Sequence, residues 1–458
     1  MPPLRFDLGA GIIAAPGIDL VWTGIADLVD VVEVEPQAFA ERQQDGDVVL
    51  NPRALDWLGD RGRPAICHGV GAPVGGLVSP DMATLEVAAV AAEQLGARHW
   101  SEHLSLNRAR SNNGSLVESG FLLPPHHSWA GVEAAVEHVG CYQRRLDLPF
   151  LVETPANYLA ATDDELSDGD FVAEIVLRAD CGILLDLHNI WANERNGRQP
   201  VSDFVERLPL ERVLEVHLAG GFELNGYYLD AHVGAVASEL LALAAKIVPR
   251  LPNVRAVVFE ALPESLVSLG AHGLRPVLEG LHRLAELRPA GQPRAGNVVM
   301  EPQGTNGAPS LAAAGELDRA EELGCIPARP APPDQIDRAA TASWEAELVA
   351  STTRSGPVET GDPGRALLAL LTDQARLSRV AISEPGAVER LFADPVVAAG
   401  AAARYLVARP AHTWSADEGR EFIDWLNCEA SQANVAAPTR GEAQSTKQTD
   451  PKGAQGKA

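Results

Sequence analysis

Short continuous apolar runs alternate with longer stretches of helical spacing up to about residue 285. The runs Phe6–Ile13, Val29–Glu35, Pro64–Val70, Arg98–Leu106, Pro149–Glu153, Gly182–Leu187, Arg212–Leu218 and Ala256–Glu260 each read as a strand. They are apolar without strict alternation, the mark of strands covered on both faces. Between them lie Ala- and Leu-rich segments such as Met82–Leu95, Trp129–Leu146 and Ala235–Val248, whose spacing predicts helices. Eight such units predict an α/β protein of the (β/α)8, or TIM barrel, class. A doubly wound open sheet is the alternative. It would show fewer strands and a phosphate-binding glycine loop after the first one, and Gly9–Gly11 is too weak for that motif.

The pattern changes after the barrel region, residues 1–286. Residues 287–334 are rich in Pro, Gly and Ala and read as a linker, with a short helix at Leu311–Leu323. Residues 335–430 regain helical spacing. Trp344, Leu348, the run Ala366–Leu371, Val388, Leu391, Phe392, Phe422, Trp425 and Leu426 supply apolar material for a small helical module. Ser415 followed by Glu418 resembles a capping box. Residues 431–458 are polar and read as a disordered tail.

Composition narrows the function. The chain has 458 residues and a formal net charge of −25. Such an acidic surface argues against nucleic acid and suits small molecules, metal ions or a peptide. No stretch of about 18 apolar residues predicts a membrane span, and the N-terminus does not read as a signal peptide. Five scattered cysteines, Cys67, Cys141, Cys181, Cys325 and Cys428, suit a reducing cytoplasm better than a disulfide framework.

The polar residues on the expected strands carry the chemistry. Strand two ends in VVEVEP, with Glu33 and Glu35. Strand three gives CHGV (His68), strand four HWSEHLS (Glu102, His103) and strand five LVETPANY (Glu153, Asn157). Strand six gives LLDLHN (Asp186, His188, Asn189). Strand seven gives EVHLAG (His217), followed by Asp230 and His232 as Asp-x-His, and strand eight gives VVFEA (Glu260). In a parallel barrel all these strand ends meet on one rim, where this fold places its active sites. So many acids without Lys or Arg repel one another unless a cation intervenes. His68, His103, His217 and His232 with Glu153, Asp186, Asp230 and Glu260 therefore predict a site for two or three ions. Imidazole and carboxylate without thiolate suit iron, manganese or zinc. Glu33, Glu35 and His188 remain open between ion-facing and structural roles. His99, His126, His127, His138, His272, His282 and His412 read as ordinary hydrogen-bonding histidines, Cys67 and Cys181 as packing, and Trp100 and Trp191 as packing or pocket residues.

The ordered motifs HGV, SEHLS, VETPANY, LLDLHN, EVHLAGG, DAHVG and VVFEA resemble those of the multinuclear iron-dependent oxidases. These barrel proteins, long filed as domain of unknown function 692, include the oxidase of methanobactin biosynthesis. The resemblance covers roughly residues 4–285. It implies two or three iron ions held by His68, His103, Glu153, Asp186, Asn189, His217, Asp230, His232 and Glu260, with Asp230 and His232 also the expected catalytic pair. It implies dioxygen as co-substrate and a ribosomally made precursor peptide, modified at cysteine, as substrate. It also implies a peptide-presenting partner protein, whose place the fused C-terminal module could take. Three departures touch substrate positioning: GAGII lacks the family's Arg, Pro36-Gln37 stands where Glu-Asn is common, and ETPAN stands for Glu-Asn.

Two other classes compete. A metal-dependent non-redox barrel enzyme, of the sugar-isomerase or abasic-site endonuclease type, would use the same rim. The first would want a lysine among the motifs and the second a basic surface. A non-catalytic peptide-binding module would be expected to have lost ligands, and all eight are present.

Overall fold

The computed structural model describes residues 7–287 and 329–436, apart from 15–17, 39, 43–47, 81, 164, 334, 354–361, 387–394 and 413–414. The strands are β1 (Gly9–Ile13), β2 (Val31–Val34), β3 (Ala40–Arg42), β4 (Val48–Leu50), β5 (Ala65–Gly69), β6 (Trp100–His103) and β7 (Leu106–Arg110), then β8 (Leu116–Leu123), β9 (Phe150–Glu153), β10 (Gly182–Asp186), β11 (Val213–Ala219), β12 (Gly221–Leu224), β13 (Tyr227–Asp230) and β14 (Ala256–Glu260). The helices are α1 (Asp19–Trp22), α2 (Pro52–Gly59), α3 (Met82–Leu95), α4 (Trp129–Gln143), α5 (Asp168–Ala179), α6 (Leu187–Arg195) and α7 (Val201–Arg207), then α8 (Ser238–Ile247), α9 (Pro263–Glu286), α10 (Arg338–Thr352), α11 (Pro363–Ser383), α12 (Pro395–Ala408) and α13 (Ser415–Ala436).

Eight strands close a barrel in the order β1-β14-β11-β10-β9-β6-β5-β2. All their pairings are parallel. Each expected strand coincides with one of these eight to within a few residues at its ends. Arg98–Leu106 differs from expectation. The barrel strand β6 stops at His103, and the chain then leaves the wall as β7, which pairs antiparallel with β8. The hairpins β3–β4, β7–β8 and β12–β13 are absent from the sequence expectation. In β7–β8 and β12–β13 buried and exposed positions mix along short strands, which leaves a weak apolar signal.

The barrel is layered. Outward-facing residues of the strands pack against the helices in the large core that includes Val32, Cys67, Trp100, Val152, Leu185, Val216 and Phe259. Inside, Leu8, Val31, Ile66, Ala256 and Val258 form an apolar floor. Above that floor the inward positions turn polar, with Glu33, His68, Ser101, Glu153, Glu215 and His217 all buried. An apolar layer would need no partners; this polar one must satisfy every group it hides.

The C-terminal helices do not stand apart. Leu348 and Val349 of α10 and Leu367 and Leu368 of α11 share a second core with β7, β8, Tyr158, Leu159 and Leu229. Helices α11, α12 and α13 close a third core around Tyr405, Phe422 and Trp425. There Glu418 accepts from Arg376, Tyr405 and the His412 amide, so its carboxylate is a buried anchor. The expected linker lies mostly outside the described residues, the helix expected at Leu311–Leu323 entirely so. The polar tail lies outside them from residue 437 on. No helix among the described residues is long and apolar enough to cross a membrane.

Helix α10 docks on the barrel through polar contacts too. Trp344 stacks on His126 at 4.6 Å, Ser128 and Thr341 share a hydrogen bond, and Glu345 accepts from the Leu77 amide. Burial pushes the Glu345 carboxyl from 4.5 up to about 8. An acid raised in this way keeps its proton when folded and loses it when unfolded, so stability falls as pH rises between those values. The unfolding midpoint of the full chain is therefore expected to drop across that window, and Glu345→Gln to flatten the drop. Denaturant titrations at several pH values check this; an unchanged slope in the variant would remove Glu345 as the cause.

Candidate metal centre

Strand register builds the rim. His103 pairs directly with Glu153 across β6 and β9, and Asp186 with His217 across β10 and β11. Side chains on one strand alternate between the two faces, so residues two apart both enter the barrel. Glu215 with His217, and His99 with Ser101 and His103, follow that rule.

The first group is a triangle. His68 Nε2 and His103 Nε2 lie 3.3 Å and 3.1 Å from Glu153 Oε2, and 3.4 Å from each other. Ligands bound to one ion at about 2.0–2.2 Å stand about 2.9–3.5 Å apart. Tautomers agree with this. The Ser101 hydroxyl donates to the Cys67 carbonyl and accepts from His68 Nδ1, while His103 Nδ1 donates to the Gly69 carbonyl. An ion displacing the proton between His68 and Glu153 would meet imidazoles already held with both Nε2 atoms turned inward, as outer partners hold metal-binding histidines. Burial disfavours the charged form of His68, but Glu153 and Glu33 outweigh it and push its pKa up to about 10.

The second group shares Glu153 with the first. Glu153, Asp186, His217 and Glu260 offer ligand atoms all within 4.8 Å of one another. His217 Nδ1 lies 3.1 Å from Glu260 Oε2. Its other nitrogen, Nε2, lies 2.8 Å from Glu33 and 3.5 Å from Glu215, and Glu215 in turn pairs with His99 at 2.8 Å. His217 thus joins the rim to a buried polar layer below it. Sequence reading left Glu33 open, passed over Glu215, and kept His99 as an ordinary partner. The two-residue spacing from His217 to Glu215 was the available signal. Glu33, Glu215 and His217 are also close enough to hold an ion.

Asp230 ends β13 and His232 lies in the loop that follows. Asp230 Oδ1 stands 2.8 Å from His232 Nε2 and 2.8 Å from His188 Nδ1. His232 Nδ1 lies 3.4 Å from Glu260, which links this pair to the second group. His232 adopts φ 53°, the left-handed region, so its turn must be held in place by its surroundings. Asp186 caps α6 by accepting from the Asn189 amide. Burial, then Asp230 and Glu153, raise its carboxyl well above the usual range. Asn189 donates to the Thr154 carbonyl and keeps its oxygen buried without a partner. His188, ambiguous in sequence, pairs with Asp230.

These residues fit a multinuclear metal group. Glu33 Oε1, Asp186 Oδ2 and Asn189 Oδ1 are buried without hydrogen bonds. Orphaned polar atoms of this kind are rare in proteins and need an explanation. The ion pairs of Glu33, Glu153, Glu215, Asp230 and Glu260 are all with histidine. Bound cations would satisfy both the orphans and the charge.

Other residues stand elsewhere. Glu102 faces α4, where Tyr142 donates to it, and burial pushes its carboxyl up to about 7. Glu35 is half-buried beside the rim, raised to about 7 by burial and Glu260. Asn157 accepts from the Leu159 amide and holds its own loop. His127 pairs with Asp168, His138 donates to Val74, His282 donates to Leu28, and His272 is exposed. Trp100 is fully buried near Tyr142, and Trp191 packs against Tyr228 under Arg195. The described cysteines, Cys67, Cys141, Cys181 and Cys428, are free.

Among known proteins, the chain is 31% identical to a UPF0276 protein of Streptomyces avermitilis over 254 residues, 53% of this chain and 52% of that protein. It is 32% identical to a UPF0276 protein of Pseudomonas aeruginosa over 205 residues, 41% of this chain and 70% of that one. It therefore spans only about half the length of the Streptomyces relative. Among solved structures, a D-allulose 3-epimerase of Methylomonas sp. with D-allulose shows a TM-score of 0.41 at 12% identity, covering 62% of this chain and 98% of that one. Endonuclease IV of Thermus thermophilus shows a TM-score of 0.38 at 16% identity, covering 60% of this chain and 99% of that one. Likeness this loose says nothing of chemistry. Residues 19–262 match the model of the RiPP precursor modification enzymes MbnB/TglH/ChrH, and the chain belongs to that family.

Proposed function

We propose that this chain is a multinuclear iron-dependent oxidase that uses dioxygen to modify a ribosomally synthesised precursor peptide at cysteine. The observation that carries the reading is the rim itself. Overlapping His and carboxylate groups share Glu153, His217 and Glu260 and leave buried lone pairs aimed at one another. The donor count exceeds what one tetrahedral ion needs, and no thiolate takes part, which favours iron over zinc. Family membership supports a peptide substrate.

His68, His103 and Glu153 would hold one ion, and Glu153, Asp186, His217 and Glu260 a second. Asp230, His232 and Asn189 would complete the site. Bound iron would supply the redox chemistry with dioxygen that no side chain here can perform. The chain's own residues do the rest. His103 and His232, with side chains 15% and 23% exposed, face the mouth where a peptide arrives. His68, His217, Glu33 and Glu215 are sealed and keep water from the floor of the site. Ser101, the Gly69 carbonyl and Glu33 fix which imidazole nitrogen carries a proton. A sugar-isomerase reading would want a lysine at the rim, and the barrel's one lysine, Lys246, is exposed on α8.

Protein purified without oxygen is expected to carry at least two iron ions per chain. With dioxygen and the precursor peptide encoded beside its gene, it should shift the peptide mass. A chain without iron that is fully active on zinc would overturn the oxidase reading.

A further inference from the structure

The second core lies directly behind the Asp230–His232 segment. Leu229 is buried in that core and Ala231 packs against it, alongside Leu348, Leu367 and Leu368 of α10 and α11. Between them, Asp230 and His232 face the other way, toward His188 and Glu260. The segment therefore alternates: Leu229 and Ala231 to the C-terminal helices, Asp230 and His232 to the rim. A second contact runs through Tyr158. Its hydroxyl accepts from the Asp230 amide at 3.0 Å, and its ring lies edge-on to Tyr227. Helix α11 begins hard against the same residue, since a Cβ on Gly364 would stand 2.1 Å from the Tyr158 carbonyl oxygen. Only glycine allows that approach.

We propose that α10 and α11 are a positioning element of the metal centre, holding Asp230 and His232 at the rim through the second core and Tyr158. The inference rests on the metal reading above and deepens it. It gives the C-terminal region a task in the barrel's own site, apart from any peptide it presents. The segment needs such support. It sits on a two-stranded hairpin outside the barrel wall, and His232 holds a left-handed backbone. A hairpin alone is marginal in water, so packing must fix it. Ligands on β5, β6, β9, β11 and β14 are fixed by the barrel ladder instead and do not depend on these helices.

The test is an anaerobic titration of the chelator-stripped full chain with ferrous iron, reading ions bound per chain and the affinity of each. Leu368→Ala opens a cavity in the second core. Leu406→Ala opens one in the third core, away from the rim. Tyr158→Phe removes only the acceptor for the Asp230 amide and serves where the cavity variant fails to fold. Leu368→Ala and Tyr158→Phe are expected to weaken one ion by at least about tenfold, the scale on which outer partners act, and to leave another at wild-type affinity. Leu406→Ala is expected to titrate as wild type. If Leu368→Ala and Tyr158→Phe titrate as wild type, or Leu406→Ala loses the same ion, the positioning role is overturned while the metal reading stands. A wild-type chain that binds no ferrous iron would overturn the metal reading, and this inference with it.

Discussion

Replacing Glu153 by glutamine is expected to empty two metal positions at once and abolish turnover. Its carboxylate belongs to both the His68–His103 triangle and the group with Asp186, His217 and Glu260. His217 is shared too, with a lower group of Glu33 and Glu215, while His68, His103, Asp186 and Glu260 each belong to one group. An amide has the same size but no charge, and its NH2 end would turn hydrogens toward lone pairs that should face a cation. Loss of an outer-shell partner costs roughly 10–100-fold in metal affinity, and loss of a bridging ligand should cost well beyond that at both positions. The barrel should still fold, because Glu153 is the chief group raising His68, which can stay neutral once that carboxylate is gone. Metal analysis with circular dichroism checks the prediction. A Glu153→Gln chain that retains its full metal content would show that Glu153 is only a hydrogen-bonding residue.

The second large effect separates His217 from His232. Both replacements by alanine should reduce metal loading and activity. His232 is partly exposed at the mouth, so its loss should leave the fold near wild-type stability. His217 is fully buried and also pairs with Glu33 and with Glu215 below the rim. Burial opposes its charged form, yet Glu33, Glu215 and Glu260 raise its pKa well above the usual range. Its removal strands those carboxylates in the barrel interior. Breaking a buried pair by deleting one partner costs about 3–5 kcal/mol. His217→Ala is therefore expected to lower the unfolding midpoint sharply, and His232→Ala to change it little. Equal midpoints in the two variants would mean that the polar layer under the rim is not held by His217.

Much of this was legible in the chain. The eight barrel strands were legible because both faces of each are buried, which leaves continuous apolar runs. The His and carboxylate motifs of the rim were legible because each stands at or near the C-terminal end of such a run, and a parallel barrel brings those ends together. Glu215 was not, since one acid inside VLEVHLAG looks like a solvated strand position until the barrel closes over it. His188 and Asn189 could not be told apart, because a helix begins at Leu187 and breaks the two-residue rule that sorts strand side chains. The hairpin β7–β8 was missed for a similar reason: its burial comes from α10 and α11, more than a hundred residues away.

The sequence by itself determined the barrel and a rim of His and carboxylate donors, because apolar periodicity and donor type are local properties of the chain. Only the tertiary structure decided how the donors group. The structure shows Glu153 and His217 shared between groups, one nitrogen of His217 facing a buried second layer, and Asp230–Ala231–His232 lying between the rim and the C-terminal helices. Those are distances between residues far apart in the chain, and they are set by barrel closure and by the packing of a second core, which no local pattern records.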